Sequence, residues 1–271
     1  MVKVHLPVLP EYAGVVVKPR ARDYLVDGER YQRVTTALGI INKPALIPWA
    51  KRMVLEQVSN VLLAPEVRSE LVVAIEESPG AYEAFVSKVI ERASKAPEAA
   101  RDERADAGTE THRLIQAVVG LVGQDQAEYL KTVPKSSQRA VEEALNFLTD
   151  YDIEVVEAER VVWSADSQVA GTIDGVGFRG SELVIWDWKT GAHLYWEAAL
   201  QLGAYAHLLN NLTGVLVAEA FAVRLPREGD DENYEVKFLS GFDLSRAWDV
   251  YKAALLLNRT SRDGLFEVSD A

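Results

Sequence analysis

The stretch that decides the fold is Gly171-Thr-Ile-Asp-Gly-Val-Gly-Phe-Arg-Gly-Ser-Glu-Leu-Val-Ile-Trp-Asp-Trp-Lys-Thr-Gly191. Residues with high β-propensity lie on both sides of Gly180-Ser181, which predicts two antiparallel strands joined by a tight turn. Asp174 lies six residues before Gly180, and Asp187 lies six residues after Ser181. The hairpin is therefore expected to place the two carboxylates opposite each other, with their Cβ atoms ~4.5–5.5 Å apart.

The facing carboxylates predict a bound divalent cation. At about 4 Å and an effective dielectric of roughly 20, two like charges repel by about 4 kcal/mol. Magnesium relieves such repulsion, because it is commonly held by one or two carboxylates together with water.

A lysine extends the charged end of the second strand. The two-residue period of a strand puts four residues on one face: Leu183, Ile185, Asp187 and Lys189. The opposite face holds Val184, Trp186 and Trp188. Lys189 is close enough to orient or deprotonate a water, or to neutralise charge on a phosphate. An Asp-x-Lys tripeptide alone also fits a solvated strand edge, and it is the mirrored Asp174 that favours a site.

Composition narrows the classes of protein and of site. The chain has 271 residues and a net charge of −12. It has no cysteine, which excludes disulfides, zinc–thiolate sites and cysteine-ligated iron–sulfur clusters. The acidic charge argues against a surface covered in DNA-binding cations, although a local basic track remains compatible with it. The sequence contains no phosphate-binding glycine loop, so no nucleotide cofactor is expected. It also contains no long apolar run and no segment typical of a signal peptide. We expect no membrane association and a cytoplasmic location.

The predicted secondary structure changes from helices to mostly strands near residue 152. An extended arm over 1–34 contains a hairpin with its turn at Asp27-Gly28, and Thr35 or Thr36 is expected to cap a short helix. A helical region over 35–151 has predicted helices at Ala45–Leu63, Glu70–Glu77, Ala81–Lys95, Glu98–Val122 and Ser136–Tyr151. The core over 152–271 has predicted strands at Glu154–Ser164, Val169–Phe178, Leu183–Lys189, Val215–Leu225 and Tyr234–Leu239, with helices at Leu194–Asn211 and Leu244–Asn258. The core and the helical region are expected to form one integrated domain.

The motifs within residues 159–206 resemble those of the PD-(D/E)xK nuclease superfamily, and among its members they are most similar to the RecB-like branch, which includes CRISPR-adaptation nucleases and phage exonucleases. The matching residues are Asp174, Asp187, Lys189, Gln201 and Tyr205. The resemblance implies an α/β (α+β) fold with a central mixed β-sheet of the restriction-endonuclease-like type, flanked by helices and preceded by a largely helical N-terminal half. It also implies catalytic roles for all five residues.

The resemblance also implies a ligand set for one or two Mg²⁺ or Mn²⁺ ions. The RecB-like branch has a metal-binding histidine in a setting similar to Gly108-Thr-Glu-Thr-His112. The implied ligands are His112, Asp174, Asp187 and the backbone carbonyl of Trp188. Glu159 is a further candidate, and Glu157 shares its face of the strand, so the choice between these two stays open. Several relatives hold an iron–sulfur cluster through four cysteines, whereas this chain has none.

A basic track is predicted to contact nucleic acid through phosphates. Its members are Lys18, Arg20, Arg22, Arg101, Arg104, Gly108 and Arg113. Gly108 is included because it would let a phosphate backbone approach closely. Each cation taken alone is better explained as a solvated surface charge.

The function implied by these motifs is metal-dependent hydrolysis of DNA. The hypothesis is an exonuclease that acts on DNA ends or single strands through Asp174, Asp187 and Lys189. Two alternatives remain open: a non-catalytic DNA-binding or assembly module on a nuclease fold, and a restriction-type endonuclease. Loading onto DNA by a recombinase, by a single-strand-binding protein or by an oligomeric ring of the protein itself stays open. The resemblance implies the cytoplasm of a bacterium or of a phage-infected host as the setting.

Overall fold

The computed structural model describes residues 15–20, 22–41, 43, 46–227, 229–230 and 233–262. Within these ranges the strands are β1 (Val17–Pro19), β2 (Asp23–Val26), β3 (Glu29–Arg33), β4 (Ile153–Ser164), β5 (Val169–Arg179), β6 (Glu182–Lys189), β7 (Val217–Arg224) and β8 (Glu235–Ser240). The helices are α1 (Val34–Ala37), α2 (Leu46–Leu63), α3 (Pro65–Glu77), α4 (Pro79–Ser94), α5 (Ala96–Val119), α6 (Gly123–Thr132), α7 (Lys135–Asp150), α8 (Glu197–Thr213) and α9 (Gly241–Arg262). A short 3-10 turn, Leu38–Ile40, follows α1. None of the helices in these ranges combines the length and apolar character that crossing a bilayer requires.

The described residues divide into two compact units. One unit holds the residues up to Ile41 and those from Glu110 onward, and the other holds those between 42 and 109. All the strands belong to the first unit, and the second is helical. The division at 1–34, 35–151 and 152–271 stays a prediction, and residues 1–14 lie outside the described ranges.

The helical unit is organised by prolines and a helix cap. α3 begins with Pro65 and α4 with Pro79, where the missing N–H of proline costs nothing because that position has no intrahelical acceptor. The Ser78 hydroxyl accepts a 3.1 Å hydrogen bond from the amide of Ala81 and so caps α4. The unit's core is formed by Val61, Ala74, Phe85 and Val89.

The sheet of the other unit is mixed. Along its main path the strands lie in the order β1-β2-β3-β5-β6-β7-β8, and β4 also pairs with β5. β6 and β7 are parallel and are joined through α8, whereas β5 and β6 form an antiparallel hairpin. In this hairpin Gly175 faces Trp186 and Arg179 faces Glu182. This register confirms the predicted turn at Gly180-Ser181.

One edge of β5 has a gap in its backbone pairing. β4 pairs along most of the opposite edge. On the edge of β5 that faces away from β4, β3 pairs with Val169 and Ala170, and β6 pairs from Gly175 onward. Within the described part of the chain, residues 171–174 therefore have no strand partner on this edge. Asp174 is the last residue of this gap.

Helices cover both faces of the sheet. On one face α1, α8 and α9 enclose a core that includes Leu183 and Ile185 of β6. On the other face α7 and the C-terminal part of α5 enclose a core that includes Val184, Trp186 and Trp188. This alternation confirms the predicted two-residue period. The mixed sheet, its flanking helices and the largely helical N-terminal half confirm the predicted fold class.

Two local features differ from the sequence-based expectation. The sequence pattern does not predict α6, because none of its residues is buried and it lacks the apolar stripe by which a surface helix is recognised. The short helix α1 begins at Val34, after Arg33, which makes no side-chain capping bond. Thr35 and Thr36 therefore lie inside the helix and do not cap it.

Candidate active site

The charged end of β6 follows from the strand's own period. Ile185 is fully buried, and Asp187, two residues later on the same face, is only 3% exposed. The Nζ atom of Lys189 lies 2.5 Å from Oδ2 of Asp187. The core face of β6 thus ends in an ion pair, which offsets part of the cost of burying the carboxylate.

Gln201 of α8 joins the two charged groups. Its Nε2 donates to Oδ1 of Asp187 at 2.7 Å, and its Oε1 accepts from Nζ of Lys189 at 2.9 Å. Nε2 also donates to the hydroxyl of Tyr205, one helical turn later, at 3.1 Å. A carboxylate only accepts and an ammonium only donates, so the orientation of the Gln201 amide is fixed by its two partners.

Asp174 lies in the pairing gap of β5. Its Oδ2 accepts a 2.7 Å hydrogen bond from the backbone amide of Trp188, so a side chain takes the place of a strand-to-strand bond. The same oxygen lies 3.5 Å from Nδ1 of His112 on α5. Asp174 therefore connects the β5–β6 hairpin to the helix that covers the other face.

Glu159 of β4 has an unusual backbone conformation. Its φ of +57° lies in the left-handed region, which residues other than glycine seldom adopt. The neighbouring pairs of β4 and β5 place it level with Asp174. One ligand atom from each of His112, Glu159 and Asp174 lies within 4.8 Å of the other two.

Glu157 has a different environment from Glu159. Its carboxylate forms an ion pair with Arg160, which is only 5% exposed. Glu157 does not belong to the three-residue cluster. The structure thus brings Glu159 close to His112, and a metal-binding role for Glu159 stays a prediction.

The grouping of carboxylates changes their ionisation. Burial raises the pKa of Asp187 to about 6; Lys189 opposes the rise, and the charge of Asp174 adds to it. Burial also raises the pKa of Glu159 to about 7, with a further contribution from Asp174. Both shifts reflect the cost of holding several anions together away from water.

The cationic groups respond in the opposite sense. Burial alone would lower the pKa of Lys189, but the nearby charge of Asp187 outweighs it and raises the pKa above its ordinary value. Burial likewise opposes protonation of His112, yet Asp174 raises its pKa overall. Lys189 is therefore held as an ammonium group at neutral pH.

The residues at the gap fit a divalent ion. An imidazole nitrogen and two carboxylate oxygens form a donor set compatible with Mn²⁺ or Mg²⁺. Burial raises the pKa of both Glu159 and Asp187, and the neighbouring charge of Asp174 adds to each rise, so a cation at this place would favour their ionised forms. Asp187 is bonded to Lys189 and Gln201, and its role as a ligand stays a prediction, as does that of the Trp188 carbonyl.

Two glycines of β5 leave room for the side chains of the site. A Cβ atom at Gly171 would lie 2.5 Å from the ring of Tyr205. A Cβ atom at Gly175 would lie 1.9 Å from the ring of Trp186. Sequence reasoning did not identify the rings that fill the space above these glycines.

Sequence reasoning assigned no role to Glu197. This residue is 8% exposed and lies one turn before Gln201 on α8. Its charge contributes to the raised pKa of Lys189. The four-residue spacing of Glu197, Gln201 and Tyr205 is the sequence signal that points to it.

The predicted nucleic-acid contacts of the sheet unit lie on its surface. Lys18, Arg20 and Arg22 are exposed, and Nε of Arg20 lies 3.3 Å from a carboxylate oxygen of Asp23. Arg113 is also exposed and is paired with Glu110, at 2.6 Å. Their contact with nucleic acid stays a prediction.

The remaining predicted contacts belong to the helical unit. Arg101 is exposed, and its Nη2 lies 3.2 Å from Oδ1 of Asp102. The guanidinium carbon of Arg104 lies 5.2 Å from the ring centroid of Trp49. Gly108 is half-buried. A nucleic-acid role for these residues also stays a prediction.

Comparison with solved structures found matches at low sequence identity. An alkaline exonuclease from Laribacter hongkongensis is 11% identical, with 57% of this chain and 93% of that chain covered and a TM-score of 0.29. The same enzyme in complex with dAMP gives 11% identity, the same coverage and a TM-score of 0.28. A protein of Eubacterium rectale described as a candidate exonuclease is 11% identical, with 52% of this chain and 63% of that chain covered and a TM-score of 0.35. No significant match was found among curated proteins.

A family assignment comes from the sequence itself. The profile of the PD-(D/E)XK nuclease superfamily matches residues 56–265, which is most of the chain. The match includes the strands and the helix that bring Asp174, Asp187, Lys189 and Gln201 together. On this basis the chain belongs to the PD-(D/E)XK nuclease superfamily.

Proposed function

We propose that this protein is a divalent-metal-dependent deoxyribonuclease that hydrolyses phosphodiester bonds at DNA ends. The observation that carries the proposal is the meeting of two groups at one end of the hairpin. One is the His112, Glu159 and Asp174 cluster, and the other is the ion pair of Asp187 and Lys189. Metal ligands beside a fixed cation are what hydrolysis of a phosphodiester requires.

One or two Mg²⁺ or Mn²⁺ ions would be held by His112, Glu159 and Asp174, with Asp187 and the carbonyl of Trp188 completing the set. When bound, such an ion polarises the phosphate and lowers the pKa of a water molecule. The mixed nitrogen and oxygen donors support this assignment.

Lys189 is proposed to orient the attacking water and to stabilise charge on the phosphate. Its raised pKa keeps it protonated, so it can donate a hydrogen bond but cannot accept a proton at neutral pH. Gln201 and Asp187 fix the position of the ammonium group. A cation held in place before the reaction stabilises the negative charge that develops on the phosphoryl oxygens.

Tyr205 and Gln201 are proposed to maintain this geometry. Burial, together with the charge of Asp187, raises the pKa of Tyr205 well above its ordinary value, so the ring remains a neutral phenol. The hydroxyl accepts a hydrogen bond from Gln201, which in turn contacts both charged groups. Tyr205 therefore acts through Gln201.

Action at DNA ends is supported by the resemblance of the motifs to the RecB-like branch. The net charge of −12 disfavours tight unassisted binding along duplex DNA, because non-specific affinity depends on cations that neutralise phosphates. Delivery by a recombinase or a single-strand-binding protein would overcome this repulsion, and we include such a partner in the proposal.

The test compares the cleavage of three DNA substrates with Mg²⁺ or Mn²⁺: linear single strands, linear duplex and closed circles. We expect the linear substrates to be degraded and the circles to remain intact. Asp187→Asn and Lys189→Ala should each reduce the rate by at least about a hundredfold, as expected for removal of groups that stabilise the transition state.

The matched control for these variants is Asp166→Asn, which removes an exposed carboxylate from the β4–β5 turn. It should cleave DNA at the wild-type rate. Intact linear DNA with both metals would refute the nuclease proposal, and digestion of circles would refute the restriction to ends.

A further inference from the structure

The segment 190–196 connects the charged end of β6 to α8. It begins directly after Lys189 and ends directly before Glu197. Gln201, which contacts Lys189, lies one turn into the helix. Both ends of the segment are therefore fixed by elements that form the candidate active site.

The segment carries an exposed aromatic side chain. Trp196 is 54% exposed, whereas the chain's other five tryptophans, all within the described ranges, are buried or half-buried. It precedes Gln201 by five residues, which places it about 140° around the helix and about 7.5 Å along the helix axis. This separation is on the order of two nucleotide steps, which rise about 3.4 Å each along one strand of B-form DNA.

The backbone of the segment is held in place by two cationic side chains. Nε of Arg227 donates to the carbonyl of Thr190 at 2.7 Å, and Nζ of Lys237 donates to that of Leu194 at 3.3 Å. Leu194 is itself part of the core on the α8 face. The position of Trp196 is therefore determined by fixed contacts on the chain that precedes it.

The backbone of Trp196 is also ordered. Its φ and ψ of −64° and −25° are helical, and its carbonyl accepts a 3.0 Å hydrogen bond from the amide of Ala199. A tryptophan side chain has only two χ angles, so stacking on it costs little conformational entropy.

The two cations add charge complementarity with a nucleic-acid strand. The Arg227 guanidinium has five N–H donors, of which the bond to Thr190 uses one. Lys237 is exposed. A flat aromatic surface with neighbouring cations is the combination that binds single strands without sequence preference, because every base has a face that can stack.

We infer that Trp196 is a stacking platform for an unpaired base of the DNA substrate, next to the phosphate that is cleaved, with Arg227 and Lys237 contacting the adjoining backbone. This inference rests on the proposed function, because it concerns the substrate of the same site. Trp196 is a substrate-binding residue here and takes no part in proton transfer.

Binding is tested without turnover in an Asp187→Asn background, using a labelled oligodeoxythymidine of about ten nucleotides in Mg²⁺. Adding Trp196→Ala should weaken binding about tenfold, which lies within the range for loss of one base–aromatic stack. Trp196→Phe should retain most of the affinity, since its ring still stacks. The oligonucleotide should also quench tryptophan fluorescence, and Trp196→Ala should remove this quenching.

Phe242→Ala is the matched control. Phe242 is 72% exposed and lies at the start of α9, as Trp196 lies at the start of α8. The neighbouring residue Gly241 lies near Val217, the first residue of β7. Lys189 pairs with Arg224, the last residue of the same strand. These two positions are about 23 Å apart at 3.3 Å per strand residue. The Phe242→Ala variant should bind the oligonucleotide like its parent.

Cleavage kinetics separate the two proposals. In the active protein, Trp196→Ala should raise KM for single strands about tenfold and leave kcat nearly unchanged. Unchanged binding and KM in Trp196→Ala would overturn the platform even if the wild type cleaves DNA. Failure of the wild type to cleave, with Trp196-dependent binding intact, would overturn the nuclease proposal and leave Trp196 as a base-stacking residue of a DNA-binding module.

Discussion

Gln201 donates to one charged side chain of the site and accepts from the other. The amide holds Asp187 and Lys189 at 2.7 and 2.9 Å without adding charge of its own. A buried group with two charged partners is costly to remove, since both partners lose a hydrogen bond that water cannot easily replace.

Replacing Gln201 should reveal this dual role. We expect Gln201→Ala to lower the free energy of unfolding by about 1–3 kcal/mol, because buried donors and acceptors are left without partners. Cleavage should fall at least tenfold, since Lys189 loses one of its two positioning contacts. Urea denaturation and initial rates measure the two effects, and Gln116→Ala on the exposed face of α5 is the control. Wild-type stability in Gln201→Ala would contradict the bridging role.

Glu159 gives a second prediction at the scale of single residues. Its pKa is raised to about 7 in the folded protein, so the cost of its buried charge grows as the pH rises above 4.5 and is complete above about 7. Below the ordinary carboxyl pKa of 4.5 the group is neutral in both states and the cost disappears. In EDTA, Glu159→Gln should therefore unfold at a higher temperature than the wild type at pH 8, and the difference should vanish near pH 4.

The matched control for this change is Glu157→Gln. Glu157 is paired with Arg160, so its neutralisation should not stabilise the protein at pH 8. Thermal melts at both pH values provide the measurement. A stabilisation of equal size at pH 4 and pH 8 in Glu159→Gln would show that charge is not the cause.

At the scale of elements, α8 is the helix that brings Gln201 and Tyr205 to the strands. Its contact with α9 is unusually close at Gly203. A Cβ atom there would lie 2.6 Å from Cβ of Ala247 and 2.8 Å from the amide nitrogen of Trp248. Because backbone atoms cannot move aside independently, the two helices would have to separate.

The Gly203→Ala substitution should therefore act on the site from a distance. We expect a loss of about 1–3 kcal/mol in unfolding free energy, typical of overpacking. We also expect a fall in kcat, because displacement of α8 moves Gln201 away from Lys189. Gly120→Ala is the control, since a Cβ atom at Gly120 meets nothing within 4 Å. Unchanged kcat in Gly203→Ala would show that α8 tolerates this shift.

The elements also show which features could be predicted from sequence. The β5–β6 hairpin was predictable because turn chemistry and the two-residue period agree about Gly180-Ser181. The left-handed backbone of Glu159 was not, since it depends on how β4 is accommodated against β5. α6 is short and none of its residues is fully buried, so its three apolar residues were too few to predict it.

For the whole molecule, metal binding should couple to folding. The site groups anionic side chains whose raised pKa values disfavour the folded, metal-free state at neutral pH. An ion that binds only the folded protein stabilises it by about 2.7 kcal/mol at a hundred times its dissociation constant. Mg²⁺ or Mn²⁺ should therefore raise the unfolding temperature.

Asp174→Asn tests the location of this effect. The asparagine keeps a side-chain oxygen that can accept from the Trp188 amide, but it removes the negative charge. The rise in unfolding temperature caused by the metal should disappear in this variant and persist in Asp166→Asn. Calorimetric scans with and without Mn²⁺ measure it, and a full rise in Asp174→Asn would place the ion elsewhere.

The sequence also predicted much of the molecule as a whole. The change from helices to strands near residue 152 matches the first long strand of the core, which begins at Ile153. The compact unit between 42 and 109 was not predicted, because its few core residues give no pattern distinct from that of the neighbouring helices. Long-range grouping of His112 with Glu159 and Asp174 required the motif resemblance and could not be read from spacing.

The gap in the pairing of β5 has a consequence for how the proposed metal site would adapt to ions of different radius. Residues 171–174 are enclosed by ladders on both flanks, to β3 before them and to β6 after them. A slip of either ladder by one residue would turn every side chain of the strand to the opposite face. The strands therefore cannot slide to widen or narrow the site. At the proposed metal site we therefore expect a difference in size between ions to be absorbed by side-chain torsions of His112, Glu159 and Asp174, with selectivity among metals set by rotamers and not by the backbone.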